Sequence, residues 1–195
     1  MKLLLLLVAL VALGLFVVSL YNALVTARNA YRNAFAQIDV QLTRRHDLVP
    51  NLVEAVKGYL RHERETLQAV IAARQQAEFG LQQAKTHPED PAALQALGVG
   101  ENQLSAALGR LFAVSEAYPE LKANENVLQL SEELTSTENR IAYARQAYND
   151  AVMDYNNRCE TFPGNLLAAR FAFAKAQPLS LEQGVSRQAP RISLG

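Results

Sequence analysis

Three histidines, one cysteine and a scatter of carboxylates are the side chains of this 195-residue chain that could carry catalysis or bind a metal. His62-Glu63 opens like the helical zinc-protease motif, in which two histidines one turn apart hold the ion and a glutamate acts as base. Thr66 stands where the second histidine belongs, so the motif fails. His46 and His87 fall where turns are expected, and three scattered histidines with one cysteine give no metal-ligand spacing. Cys159 needs a positioned base to be a nucleophile, and no histidine lies near it in sequence; a packed thiol is expected. Gly98 and Gly100 resemble a phosphate loop only superficially, since no strand precedes them and no lysine follows at the required spacing; close helix packing or a local bend accounts for them. Glu54, Glu63, Glu101 and Glu138 would need Glu-x-x-His pairs to build an inward-facing dimetal site, and the sequence has none. Solvated faces or single ion pairs with Arg74 or Arg110 are expected instead. No catalytic, cofactor-binding or metal-binding residue is assigned, and the chain is expected to be no enzyme and to carry no cofactor.

Less ordinary is the pairing of Tyr with Asn at Tyr21-Asn22, Tyr148-Asn149 and Tyr155-Asn156, with Asn29, Asn33 and Asn139 also in helical sequence. Asn is a poor helix former. Its recurrence points to hydrogen bonds across helix interfaces that fix register, to a polar surface that meets another subunit, or to ordinary surface placement.

These residues must be positioned by a chain with balanced charge, 19 Lys+Arg against 19 Asp+Glu. There is no basic field to attract nucleic acid and no acidic block to make a solvating tail. One cysteine excludes an internal disulfide framework. From Leu3 to Leu20 the chain is apolar apart from Gly14 and Ser19, and no charge appears between Lys2 and Arg28. A helix rising ~1.5 Å per residue needs roughly 20 such residues to cross a hydrocarbon core of about 30 Å, so a single-pass anchor in the cell membrane is predicted. The rival is a secretory signal peptide with a cleavage point near Val25-Thr26-Ala27, but the apolar run exceeds the usual length of roughly 7 to 15 residues. No cysteine follows the run to make a lipoprotein anchor. Arg28 and Arg32, with Arg44 and Arg45 further on, slightly outweigh Lys2 and tip the domain toward the cytoplasm.

Beyond the span the apolar residues recur in heptads. Val127, Leu130, Leu134, Thr137, Ile141, Ala144, Tyr148, Ala151 and Tyr155 alternate steps of three and four, the seam of a helical bundle. The same rhythm runs through Leu24, Ala27, Tyr31, Ala34, Ile38 and Leu42, and through Leu94, Leu97, Glu101, Leu104, Leu108, Leu111, Ser115 and Tyr118. A fourth helix is predicted from about Pro50 to Thr86, with Glu63 and Arg74 snorkelling at its edge. Asp90 is the expected cap after Pro88, Asn126 the expected cap after Pro119, and Phe162-Pro163-Gly164 a break. Near Pro50, Arg44, Arg45 and His46 complement a helix C-terminus and Asp47 caps a new one, so a turn is predicted; the alternative is a kink in one very long helix. Short connections then force antiparallel neighbours. The expected fold is all-α, an N-terminal transmembrane helix followed by an antiparallel up-down four-helix bundle. Residues 1–22 make the anchor, 23–162 the bundle and 163–195 a C-terminal tail. Leu166 to Lys175 mixes apolar and basic residues suited to the membrane interface, and a flexible tail is expected from about Gln177 to Gly195.

The run from Asn33 to Leu42, Asn33-Ala34-Phe35-Ala36-Gln37-Ile38-Asp39-Val40-Gln41-Leu42, continuing through Arg44-Arg45-His46-Asp47-Leu48-Val49-Pro50-Asn51-Leu52-Val53, resembles the LemA family. The resemblance continues in Ala117-Tyr118-Pro119-Glu120-Leu121-Lys122-Ala123, Thr137-Glu138-Asn139-Arg140-Ile141, the two later Tyr-Asn pairs and Phe162-Pro163-Gly164-Asn165, covering about residues 20–173. It implies a bacterial protein with a membrane span and a helical-bundle domain, and it supplies no catalytic residues. A relative in the magnetosome membrane system makes a role in organising or shaping membranes an analogy. The ending Leu179-Ser180-Leu181 departs from the aromatic-rich tail of the family.

Function is therefore expected to lie in surfaces: a membrane-anchored scaffold, a homo-oligomer, that organises membrane or membrane proteins. A membrane-tethered adaptor of a signalling or envelope-stress protein, with one dedicated protein partner, is the alternative.

Overall fold

The structure, a computed structural model, describes residues 1–181. Among them the regular structure is helical: α1 (Lys2–Lys57), α2 (Arg64–Thr86), α3 (Pro91–Ser115), the single turn α4 (Pro119–Lys122), α5 (Glu125–Glu160) and α6 (Gly164–Arg170).

The first part of α1 is a helix whose large apolar residues from Leu3 to Val18 are all exposed. Such a surface is stable in hydrocarbon and not in water. From Leu24 onward the same helix buries a stripe, Leu24, Ala27, Tyr31, Phe35, Ile38 and Leu42. A cut near Val25-Thr26-Ala27 would fall between two buried residues in mid-helix, so this segment is built as an anchor continuous with the fold.

The turn predicted at Asp47–Pro50 does not form; α1 runs through Pro50 to Lys57. Proline lacks the N–H that would bond the carbonyl of His46 four residues back. Arg74 of α2 fills that place, its Nε donating to the His46 carbonyl oxygen at 2.7 Å. Arg74 is thus no snorkelling edge residue. Leu48, Val49, Leu52, Val53 and Val56 continue the buried stripe and reward helix on the far side of the proline. The chain reverses at residues 58–63, where Leu60 is fully buried, and the helix expected from Pro50 begins at Arg64.

Asp90 caps α3 as expected, accepting from the Ala92 N–H, with Pro91 in the first turn. The cap of α5 is Asn124 and not Asn126; its side chain accepts from the N–H groups of Asn126 and Val127, the two orphan donors a cap must reach. The break at Phe162-Pro163-Gly164 separates α5 from α6.

α1 and α5 pack antiparallel. Tyr31 meets Tyr155 at 5.1 Å between ring centroids and Phe35 meets Tyr148 at 5.8 Å, so numbering rises along one helix as it falls along the other. α2 and α3 also pack antiparallel, with glycine at two of their contacts. A Cβ on Gly80 would lie 2.9 Å from the Leu97 Cα, and one on Gly100 would lie 2.9 Å from the Ala77 Cα. Gly100 thus serves close helix packing, while Gly98 faces the carbonyl oxygen of Ser180. Two apolar clusters result. One lies toward the membrane around Leu24–Leu42 and Ile141–Cys159, and the other lies beyond, around Leu48–Leu60, Leu104–Leu111 and Val127–Leu134.

Gly100→Ala must push two backbones apart, and overpacking of this kind costs about 1–3 kcal/mol. Gly109→Ala meets nothing within 4 Å and gains up to about 1 kcal/mol of helix propensity. Thermal unfolding of the full-length protein in detergent should therefore shift down for the first and stay level or rise for the second.

Candidate functional site

Between the two apolar clusters lies a layer of buried polar side chains: Arg45 and His46 on α1, Glu101 on α3 and Thr137 on α5. Each occupies the inward stripe of its helix, so folding the stripes together carries a full charge into the bundle. The Arg45 guanidinium is 2% exposed. Its Nη1 donates to Glu101 Oε2 at 2.9 Å, and its Nη2 donates to Ser105 Oγ at 2.7 Å and lies 2.6 Å from Glu138 Oε1. His46 Nε2 lies 2.7 Å from the other oxygen, Glu101 Oε1; a carboxylate can only accept, so the network assigns the proton to Nε2. Thr137 turns its hydroxyl back to the Glu133 carbonyl oxygen at 2.7 Å. Arg45 Nε has no partner among protein atoms.

Glu138 sits at the mouth of the layer, its side chain 45% exposed. Loss of water raises its pKa, the Arg45 charge pulls it back down and Glu101 pushes it up again. Both oxygens of Glu101 and both terminal nitrogens of Arg45 are spent on neighbours within the protein. Such a layer can fix which residue of α1 faces which residue of α3 and α5, and it reaches the surface at Ser105 and Glu138.

His46 is therefore no turn residue, and Arg45 is the partner of Glu101 and Glu138 where Arg74 or Arg110 was expected. His62 lies in the α1–α2 connection and His87 follows α2. Glu54 is on the surface beside Lys57, and Glu63, just before α2, accepts from the Tyr118 hydroxyl at 3.4 Å. Cys159 is packed in the membrane-side cluster, where burial pushes its thiol up and away from thiolate chemistry. Among the described residues no group of three or more His, Cys, Asp or Glu side chains could hold a metal ion. A cleft of about 730 Å³ lies at the far end of α1 and α2, lined by Leu60 and Leu67, by Lys57, Arg61 and Arg64, and by Glu54, which pairs with Lys57.

The two later Tyr-Asn pairs have a different task. Residues 171–181 run without helix along α5, and each Asn reads one residue of that strap from both sides. Asn156 donates to the Ala176 carbonyl and accepts from its N–H, at 2.9 and 3.0 Å. Asn149 does the same to Leu179 at 3.2 and 2.8 Å. Tyr155 and Tyr148 donate to the carbonyls of Ala174 and Gln177, and Arg145 donates to that of Leu181. Seven helical residues advance about 10.5 Å and three residues of a polyproline-II path about 9.3 Å, so a heptad on α5 matches a three-residue repeat on the strap. Phe173, Ala176 and Leu179 are the buried strap positions, with the same period. Where a flexible tail was expected from about Gln177, the chain as far as Leu181 is held; the rest of the expected tail lies outside the described residues. Neither Asn149 nor Asn156 sets register between helices, and the signal available in sequence was their heptad spacing beside an apolar segment with a three-residue repeat.

The sequence model of the LemA family matches residues 34–194. Protein LemA of Metamycoplasma hominis is 27% identical over 149 residues, which cover 76% of this chain and 64% of that protein. Magnetosome protein MamQ 2 of Paramagnetospirillum magneticum is 28% identical over 175 residues, covering 80% of this chain and 63% of that protein. Magnetosome protein MamQ of Magnetospirillum gryphiswaldense is 25% identical over the same length with the same coverage. The chain thus spans a little under two thirds of the length of these relatives.

Arg45→Met strands Glu101 in the interior, and breaking a buried pair from one side costs about 3–5 kcal/mol, to be read as a lowered unfolding free energy in denaturant. Glu138 behaves differently. Its folded pKa is raised, so its contribution to stability is present below the ordinary glutamate range and lost as pH rises through the raised value. Glu138→Gln should flatten the stability profile across that acidic window and leave its shape above the window unchanged. For the strap, Asn156→Ala removes the acceptor of the Ala176 N–H, and hydrogen exchange at that amide should quicken by roughly tenfold, the equivalent of one net hydrogen bond.

Proposed function

The chain belongs to the LemA family, and from that premise we propose that this single-pass, non-catalytic membrane protein is a scaffold whose helical domain self-associates at the bilayer and organises or shapes the membrane or its proteins. The observation that supports the reading is the continuity of α1. One helix of 56 residues, about 84 Å long, is both the anchor and the member against which α5 and α2 pack, so the domain stands on the membrane in a set direction. In this reading residues 1–22 are the anchor and the long helices within 23–162 form an antiparallel up-down bundle. Of the C-terminal segment, the described residues 163–181 close it on the membrane side, and Arg28 and Arg32 keep the domain in the cytoplasm.

Self-association draws support from the outer faces. Val40, Phe79 and Met153 expose large apolar side chains on α1, α2 and α5. Confinement to two dimensions raises the effective concentration of copies, so contacts too weak for dimers in solution become productive. Relatives named as magnetosome proteins add an analogy with membrane organisation. The polar residues of greatest burial are already spent on one another inside the domain, which fits a protein that works through its exterior. No catalytic, cofactor or metal residue is part of this reading.

A second reading draws on the cleft at the membrane-distal end. Its lining of Leu60 and Leu67 with Lys57, Arg61 and Arg64 suits an adaptor that docks one dedicated signalling or envelope-stress protein.

Mass measurement of full-length protein extracted in native membrane discs, with identification of everything that co-purifies, separates the two. A defined homo-oligomer is expected for the scaffold. A single copy with a constant second protein would replace it with the adaptor, and a single copy alone would remove self-association.

A further inference from the structure

We propose that α6 and its flanking aromatics form a second membrane contact, a short collar that lies in the headgroup region of the bilayer crossed by α1 and holds the helical domain at a set height and tilt. This rests on the anchored reading above and not on self-association.

α5 runs toward the span, and after Phe162-Pro163-Gly164 the chain makes one short helix at that end. Gly164, Leu167 and Ala168 face inward, and α6 touches both α5 and α1. The opposite face is apolar and bare: Phe162 is 79% exposed and Leu166, one turn on, 63%, with Phe171 at 52% just beyond the helix. Three large apolar side chains left exposed so close along the chain are an unfavourable surface in water. Their place in the molecule names what covers them. The Phe171 and Phe173 rings pack edge-on against Tyr21 at 5.1 and 5.7 Å, and Tyr21 directly follows the apolar run that ends at Leu20. Arg28 lies over the other side of Phe173, 5.1 Å from its centroid. From Tyr21 to Arg28 is about 10 Å along the helix axis, enough to pass through the roughly 5–7.5 Å that the headgroup region adds on each side of the hydrocarbon. The collar therefore stands at the edge of the hydrocarbon, where rings of Tyr and Phe and the cations Arg28 and Arg170 have the amphipathic composition of an interfacial segment. Ala172, at φ 53, makes the left-handed turn that ends α6, and the Phe173 N–H closes it on the Ala168 carbonyl at 3.0 Å. That turn keeps Phe171 outward while Phe173 is buried.

The chain contains no tryptophan, so Leu166→Trp gives full-length protein a single fluorophore in the collar. Tyr143→Trp is the control: Tyr143 is 78% exposed on α5 and, beyond the Phe35–Tyr148 contact, sits roughly 25 Å or more from Tyr21 along the bundle. Each variant is placed in phosphatidylcholine–phosphatidylglycerol vesicles carrying lipids brominated at known depths, and flotation verifies anchoring. Leu166→Trp should emit to the blue of Tyr143→Trp and be quenched most by bromines near the headgroup, with the control unquenched. Phe162→Trp should repeat the result, so that a local fault in one variant does not decide the matter. Floating protein with water-like, unquenched emission at both collar positions overturns the proposal and leaves the anchor intact. A blue shift without quenching that grows with protein-to-lipid ratio also overturns it, because a second copy then covers the face. Failure to float removes both the collar and the anchored reading.

Discussion

A guanidinium shut away from water must be met by charge and hydrogen-bond acceptors in the same small space, and Arg45 imposes that demand on three helices at once. Glu101 and Ser105 of α3 and Glu138 of α5 answer it, and His46 occupies the remaining oxygen of Glu101. Sliding α1 by one turn against α3 or α5 would leave Arg45 or Glu101 unpaired in a low-dielectric interior, a far larger penalty than repacking leucines against leucines. The apolar clusters on either side supply the bulk of the burial but little of the register, since heptad seams match almost equally well when displaced by seven residues. One ionic layer between them removes that freedom.

The same layer carries the helix past its weakest point. Pro50 deprives the His46 carbonyl of its helical donor, and His46 is the residue whose side chain the layer already holds. Arg74 reaches in from α2 to replace the missing N–H and pairs with Glu78 at 2.7 Å on its outer side. A gap that would bend or end a helix in isolation is thereby closed from a neighbour, and closing it ties α2 to α1. Membrane span and distal cluster consequently belong to one helix.

What was legible in the sequence follows the same division. The anchor, the heptad seams through Leu24–Leu42 and Val127–Tyr155, the Asp90 cap and the break at Phe162-Pro163-Gly164 are local signals, each written in a few residues with fixed spacing, and the structure has them. The turn at Pro50 failed because proline and the basic run Arg44-Arg45-His46 are read locally as an ending, whereas the donor that cancels the ending sits at Arg74. For the same reason Arg45 and His46 read as the end of a helix beside a turn and not as interior residues. Glu101 did stand on its seam, a polar residue at an inward position, and an inward carboxylate demands an inward cation on another helix; following that demand leads to Arg45. The two later Tyr-Asn pairs were conspicuous as poor helix formers. Their partner was invisible because it is backbone, and any extended segment offers the same carbonyls and N–H groups.

That last point bears on how the molecule ends. α5 returns to the membrane side, α6 turns beside Tyr21, and the strap then climbs away again with its main chain read by Asn156, Asn149 and Arg145 in turn. Because these contacts are to backbone, they set the path of the strap and leave its outward side chains free to vary. The interior is closed by mutual satisfaction of its charges, and the strap seals the membrane-side cluster containing Cys159, Tyr148 and Tyr155, whose acidic protons burial holds in place. Among the described residues the exterior features that stand out are the exposed apolar side chains around α6, those on the outer faces of the long helices and the cleft lined by Lys57, Arg61 and Arg64 at the far end. All three belong to a fold packed around α1, the helix that also carries the apolar span, so each lies at a set distance from that span.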